Sequence, residues 1–119
     1  MKLIITITIF ILTLVGCKST ETIYYHGGYP SAVYQYLKND DLSLDQQIEA
    51  LNLIIENAAN QSKPVMPGVH SHLGLLYFDT GNNNLGTHHF NTEKSLFPES
   101  STYLDFLLNQ NQQVNGSNE

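Results

Sequence analysis

After Tyr29, apolar side chains return at helical intervals along most of the chain, and caps and breaks divide them into five stretches. Tyr29-Pro30-Ser31 opens the first, with Pro30 suited to a first helical turn. Ala32, Val33, Tyr36 and Leu37 give it one broad apolar face, and Asn39-Asp40-Asp41 ends it. Ser43 followed by Gln46 is a capping box, and Ile48, Leu51, Ile54, Ile55, Ala58 and Ala59 form the stripe of a helix over 44–61. Lys63 to Gly68, with two prolines, breaks the chain, and Pro67 can start the next helix. Val69, Leu73, Leu76 and Tyr77 line that third helix, which Asp79-Thr80-Gly81-Asn82 stops. Leu85, His89, Phe90, Glu93, Leu96 and Phe97 continue as a fourth. Pro98 breaks it, and Glu99-Ser100-Ser101 leads into a fifth helix carrying Tyr103, Leu104, Phe106, Leu107 and Leu108. Strand-like alternation is lacking, although Ile23-Tyr24-Tyr25 suits a short extended piece. The pattern predicts an all-α domain of about five helices over residues 23–108.

Both ends depart from this pattern. Lys2 precedes an uncharged run, Leu3 to Val15, too short for the roughly 20 apolar residues that span a bilayer and of signal-peptide length. The run closes Leu14-Val15-Gly16-Cys17, which matches the bacterial lipobox. Residues 1–16 are expected to be removed and Cys17 to carry fatty acyl chains such as palmitate. Two or more chains anchor a protein stably without any transmembrane segment. Lys18 stands where Asp would retain a lipoprotein in the inner membrane, so the outer membrane is expected, with the domain on its periplasmic face. The tether, residues 18–22, reaches at most about 17 Å. At the other end, residues 109–119 hold a single apolar side chain, Val114, and predict a disordered tail.

Charge and composition narrow the partners. The chain has 119 residues, 41% of them hydrophobic, with 5 basic side chains against 11 acidic ones and a net charge of −6. All the basic residues are Lys. An acidic chain without Arg makes a poor nucleic-acid binder. One Cys excludes an internal disulfide and a multi-Cys metal site. His70 and His72 lie about 200° apart on a helix and cannot chelate one metal there. His88 and His89 also diverge, with His89 expected inward, where a cross-helix pair with His70 is open to it. Gly27-Gly28 lacks the strand-loop-helix setting of a phosphate loop, and neither a serine-hydrolase elbow nor a zincin motif is present. No catalytic residue, metal or cofactor is expected. Tyr24, Tyr25, Tyr29, Tyr34 and Tyr36 crowd the start of the domain. Tyr is enriched at interfaces, so Tyr25, Tyr29, Tyr34 and Tyr36 are candidate partner contacts, with packing of the first helix on the second as the other reading.

Two resemblances follow. Leu73-Gly74, Tyr77, the turn at Gly81, Phe90 and Pro98 resemble a tetratricopeptide repeat, whose helix pair carries these residue types in this order. The resemblance implies a close helix approach at Gly74, a core built on Leu73, Tyr77 and Phe90, and a chain turn at Pro98. Gly86 and Glu93 stand where the repeat has small Ala residues. Residues 30–61 would form a preceding, degenerate repeat and the fifth helix a cap. More widely, the lipobox, Tyr24-Tyr25-His26-Gly27-Gly28-Tyr29, Pro67-Gly68, His72-Leu73-Gly74 and Glu93-Lys94-Ser95-Leu96-Phe97-Pro98-Glu99-Ser100 resemble a bacterial lipoprotein family, domain of unknown function 4810. The resemblance covers about residues 17–108. Members of that family have no established activity and tend to be encoded beside a curli-secretion-channel-like lipoprotein, which implies a shared envelope complex.

These readings lead to one expectation: a non-catalytic outer-membrane lipoprotein, a scaffold or accessory subunit that binds an envelope protein such as a secretion-channel-like lipoprotein. The alternative is a periplasmic ligand-binding or cell-wall-active lipoprotein. A pocket lined by two or more of the His and Asp residues would favour the alternative, and an open groove of Tyr and Leu the scaffold.

Overall fold

A computed structural model describes residue 1, residues 21–38 and residues 42–116. The leader, Cys17, most of the tether, Asn39-Asp40-Asp41 and residues 117–119 lie outside the described residues. Among the described residues the architecture is all-α, with five helices in antiparallel succession: α1 (Tyr29–Lys38), α2 (Leu44–Asn60), α3 (Val69–Asp79), α4 (Asn83–Leu96) and α5 (Ser101–Gly116). A single 3-10 turn, Pro98–Ser100, joins α4 to α5. No helix among the described residues is long and apolar enough to cross a membrane.

The helix starts have local causes. At α2 the Ser43 hydroxyl accepts from the Gln46 amide, and the Gln46 side chain accepts from the Ser43 amide. The Asn82 side chain caps α4 by accepting from the Leu85 amide. Helix α3 begins at Val69, and its N-cap, Gly68, directly after Pro67, has a φ of 97° in the left-handed region. The short extended segment is present as well. The Tyr25 amide donates to the Pro64 carbonyl at 2.9 Å, and Tyr25 forms an isolated parallel bridge with Val65.

The core sits between α2 and α3, where Leu51, Ile54, Ala58, Val69, Leu73 and Leu76 are buried. Helix α4 adds Phe90 and α5 adds Leu104, both fully enclosed. Helix α1 covers this layer through half-buried Tyr29, Ala32 and Tyr36, and none of its residues is completely buried.

The α3–α4 pair packs closest. A Cβ at Gly74 would stand 2.4 Å from the Phe90 ring and 3.1 Å from the Gly86 carbonyl oxygen. Gly86 in turn lies against the Phe78 ring, and Phe78 meets Phe90 edge to face at 5.1 Å. Gly74 and Phe90 thus meet across the α3–α4 pair, while Leu73 is buried in the core between α2 and α3. Tyr77 is only half-buried and faces α2 and His89. Pro98 is exposed and opens the 3-10 turn, so it directs the chain and is not a core residue.

The C-terminal end differs from expectation. A disordered tail is predicted from 109, yet α5 continues to Gly116. Helix propagation adds one hydrogen bond per residue once a turn is formed, and buried Leu104 with half-buried Leu107 and Leu108 anchors the preceding turns. Polar composition alone does not oppose that extension.

Candidate functional site

The α1 positions 29, 33 and 36 lie on one helical face, and that face looks onto α3. Between the two helices runs a cleft of about 230 Å³. Tyr29, Val33, Tyr36 and Leu37 line it from α1; Ser71, His72 and Leu75 line it from α3. A second cleft, of about 310 Å³, lies between α3, α4 and α5, bounded by Leu75, Phe78, Asp79, Phe90 and Leu107. The two meet at Leu75. They remain two clefts that share that one side chain; the first, a trough between α1 and α3, is mostly apolar and aromatic, whereas Asp79, Gln110 and Asn111 give the second a more polar lining.

His72 forms part of the floor of the trough. The ring is 7% exposed, with Tyr36 edge-on at 4.7 Å and Tyr29 at 6.1 Å. Neither ring nitrogen has a hydrogen-bond partner among the described residues, and burial holds its pKa below the usual histidine range. Tyr29 is pushed up to about 12, by burial first and then by the Glu93 charge. Tyr36 is raised by burial first and then by the charge of Asp79, at the end of α3.

The four candidate tyrosines do not converge. Tyr29 and Tyr36 stand together in the trough. Tyr25 packs against the α2–α3 core through the segment that pairs with Val65. Tyr34 turns away, 62% exposed, with the Lys38 ammonium 5.8 Å above its ring. Cys17 lies outside the described residues.

A second polar cluster lies on the other side of α3. The Nδ1 atoms of His70 and His89 face each other at 3.0 Å, so one ring donates and the other accepts. The Tyr77 ring stacks on His89 at 5.4 Å, and His88 stays exposed beside it. The cross-helix pair open to His89 in the sequence is formed, with His89 inward. Burial lowers the His89 pKa to about 4, with the neighbouring His70 and His88 adding to the shift; His70 is lowered by burial and by His88. No group of three or more metal-ligating side chains among the described residues could hold an ion.

Glu93 is the residue that sequence reasoning undervalued. Only 2% exposed, its carboxylate accepts from the backbone amides of Gly68 (2.6 Å), His70 (3.1 Å) and Ser71 (3.2 Å). Gly68 has no side chain with which to cap α3, and Glu93 supplies the missing acceptor from α4. The signal was present as an acid in an apolar stripe, at a position the repeat gives to a small residue.

Residues 23–107 match the family described as a domain of unknown function (DUF4810). No curated protein and no solved structure matches the chain.

Proposed function

The chain belongs to the DUF4810 family, and from that membership and the trough along α3 we propose a non-catalytic, lipid-anchored envelope protein that binds a protein partner as a scaffold or accessory subunit. Cys17 carries the acyl chains, and the outer membrane is the site. A secretion-channel-like lipoprotein is the partner proposed first. The carrying observation is the character of the trough. Tyr29, Val33, Tyr36, Leu37 and Leu75 give it apolar walls, and Leu37 stands 75% exposed at its edge. Such a surface suits apolar anchor residues of a partner.

The enzymatic alternative finds less support. His72 and Asp79 line different clefts, and both His72 nitrogens are shielded from solvent. The polar groups of the two clefts therefore do not converge on one reacting position.

Affinity isolation of the lipidated protein from envelopes, followed by mass spectrometry, tests the reading. A stoichiometric envelope partner is expected, lost on Leu37→Glu and retained on Tyr34→Ser. Isolation of the protein alone, or a partner indifferent to Leu37→Glu, would overturn the assignment of the trough.

A further inference from the structure

The antiparallel order of the helices gives the molecule two unlike ends. The starts of α1, α3 and α5 and the ends of α2 and α4 share one of them. Several contacts tie this end together: the Tyr25 amide donates to the Pro64 carbonyl, Tyr24 lies edge-on to Phe97 at 6.1 Å, and Glu93 caps α3. The opposite end holds the α3–α4 turn, where a wholly different lining of Thr80, Gly81, Asn82, Asn83 and Asn84 meets solvent.

Two large apolar side chains stand out on the first end. Ile23 is 77% exposed and Leu96, next to Phe97, is 49% exposed. Tyr24, next to Ile23, packs edge-on to Phe97, next to Leu96, and Lys63 is half-buried in the neighbouring loop. This is also the end at which the chain arrives from Cys17. Residues 18–22 span at most about 17 Å, so an acylated Cys17 keeps this end nearest the lipid surface. The exposed acids here, Glu21 and Glu99, give the face no electrostatic pull toward anionic lipid. Contact must come from the apolar residues, made effective by the tether, which raises their local concentration at the bilayer.

We infer that the end bearing Ile23 and Leu96 is a membrane-contact face, seated in the lipid interface so that the helices stand away from the bilayer and the Asn-rich turn points outward. The inference rests on the lipid-anchor reading above. It fixes which end of the trough is near the membrane: the end at Tyr29 and Gly68 is proximal, and the end at Tyr36 and Leu75 is distal.

The chain contains no Trp, so one introduced Trp reports without background. Three variants of the full precursor, Ile23→Trp, Asn83→Trp and the double variant Ile23→Trp/Leu96→Asp, are expressed in a bacterium. The lipidated products are purified and reconstituted into vesicles of phosphatidylethanolamine and phosphatidylglycerol. Mass spectrometry reads the acylation of Cys17, circular dichroism reads helix content, and fluorescence reads quenching by aqueous acrylamide and by acyl-brominated lipid. For Ile23→Trp, acrylamide quenching should fall about threefold on reconstitution and brominated lipid should quench, as for a side chain seated in the interface. Asn83→Trp should stay open to acrylamide, and Leu96→Asp should return Ile23→Trp toward it. Acylated protein whose Ile23→Trp stays fully open, or in which both reporters are shielded alike, overturns the proposed face while leaving the anchor intact. A Cys17 without acyl chains overturns the anchor, and this orientation with it.

Discussion

Gly74 has no room for a methyl group. Its Cβ would collide with the Phe90 ring, and Phe90 is fully buried against the partner hairpin helix. Overpacking of this kind costs about 1–3 kcal/mol, more than the roughly 1 kcal/mol that Ala gains over Gly in a helix. Gly74→Ala should therefore lower the urea midpoint, by an amount equivalent to up to about 2 kcal/mol. An unchanged midpoint would mean that Phe90 can turn aside. Glu93 makes a different case, because its loss strands three amides. Glu93→Ala should cost about 3 kcal/mol in urea unfolding, with Glu93→Gln costing less because the amide oxygen still accepts. These two residues also show what a sequence conveys. The Gly74–Phe90 contact was legible because both positions belong to one short repeat with fixed spacing. The Glu93 contact was not, since it joins residues 22 to 25 apart in the chain and depends on how α4 lies across the start of α3.

At the scale of elements, local chemistry settled most boundaries. The α2 capping box is formed as its residues predict, and Ser43→Ala should lower stability by about 1 kcal/mol, read as a fall in thermal midpoint. Ser43→Asp should preserve most of it, since Asp caps equally well. Composition was the weaker guide. A run of Asn and Gln after 109 suggested disorder, yet a helix already anchored by Leu104 continues through it to Gly116. The tyrosines make the same point. Neighbours two apart in sequence sit about 200° apart around a helix, so Tyr34 faces solvent while Tyr36 faces the trough. Crowding along the chain does not give crowding in space.

The whole molecule should respond to acid through its histidines. His70, His72 and His89 are all held below the ordinary value near 6.5, with burial as the largest cause, and His89 lies at about 4. The unfolded chain then binds more protons than the folded one through this interval. Stability contributed by the neutral rings is complete above pH 6.5 and is lost as pH falls toward 4. Thermal midpoints measured across that interval should decline, and His89→Phe, which keeps a ring against Tyr77, should flatten the slope. A slope unaltered by that change would assign the acid sensitivity to other groups.

The cap that Glu93 places on α3 also sets an order of events. A chain threading outward from its N-terminus delivers Gly68, His70 and Ser71 well before it delivers the carboxylate they need. Until residue 93 emerges, the first turn of α3 has no acceptor for those amides, and the α2–α3 core has one loosely ended wall. The lock therefore arrives late, from the second helix of the α3–α4 hairpin, and a chain halted before it stays easier to pull straight than one released after it.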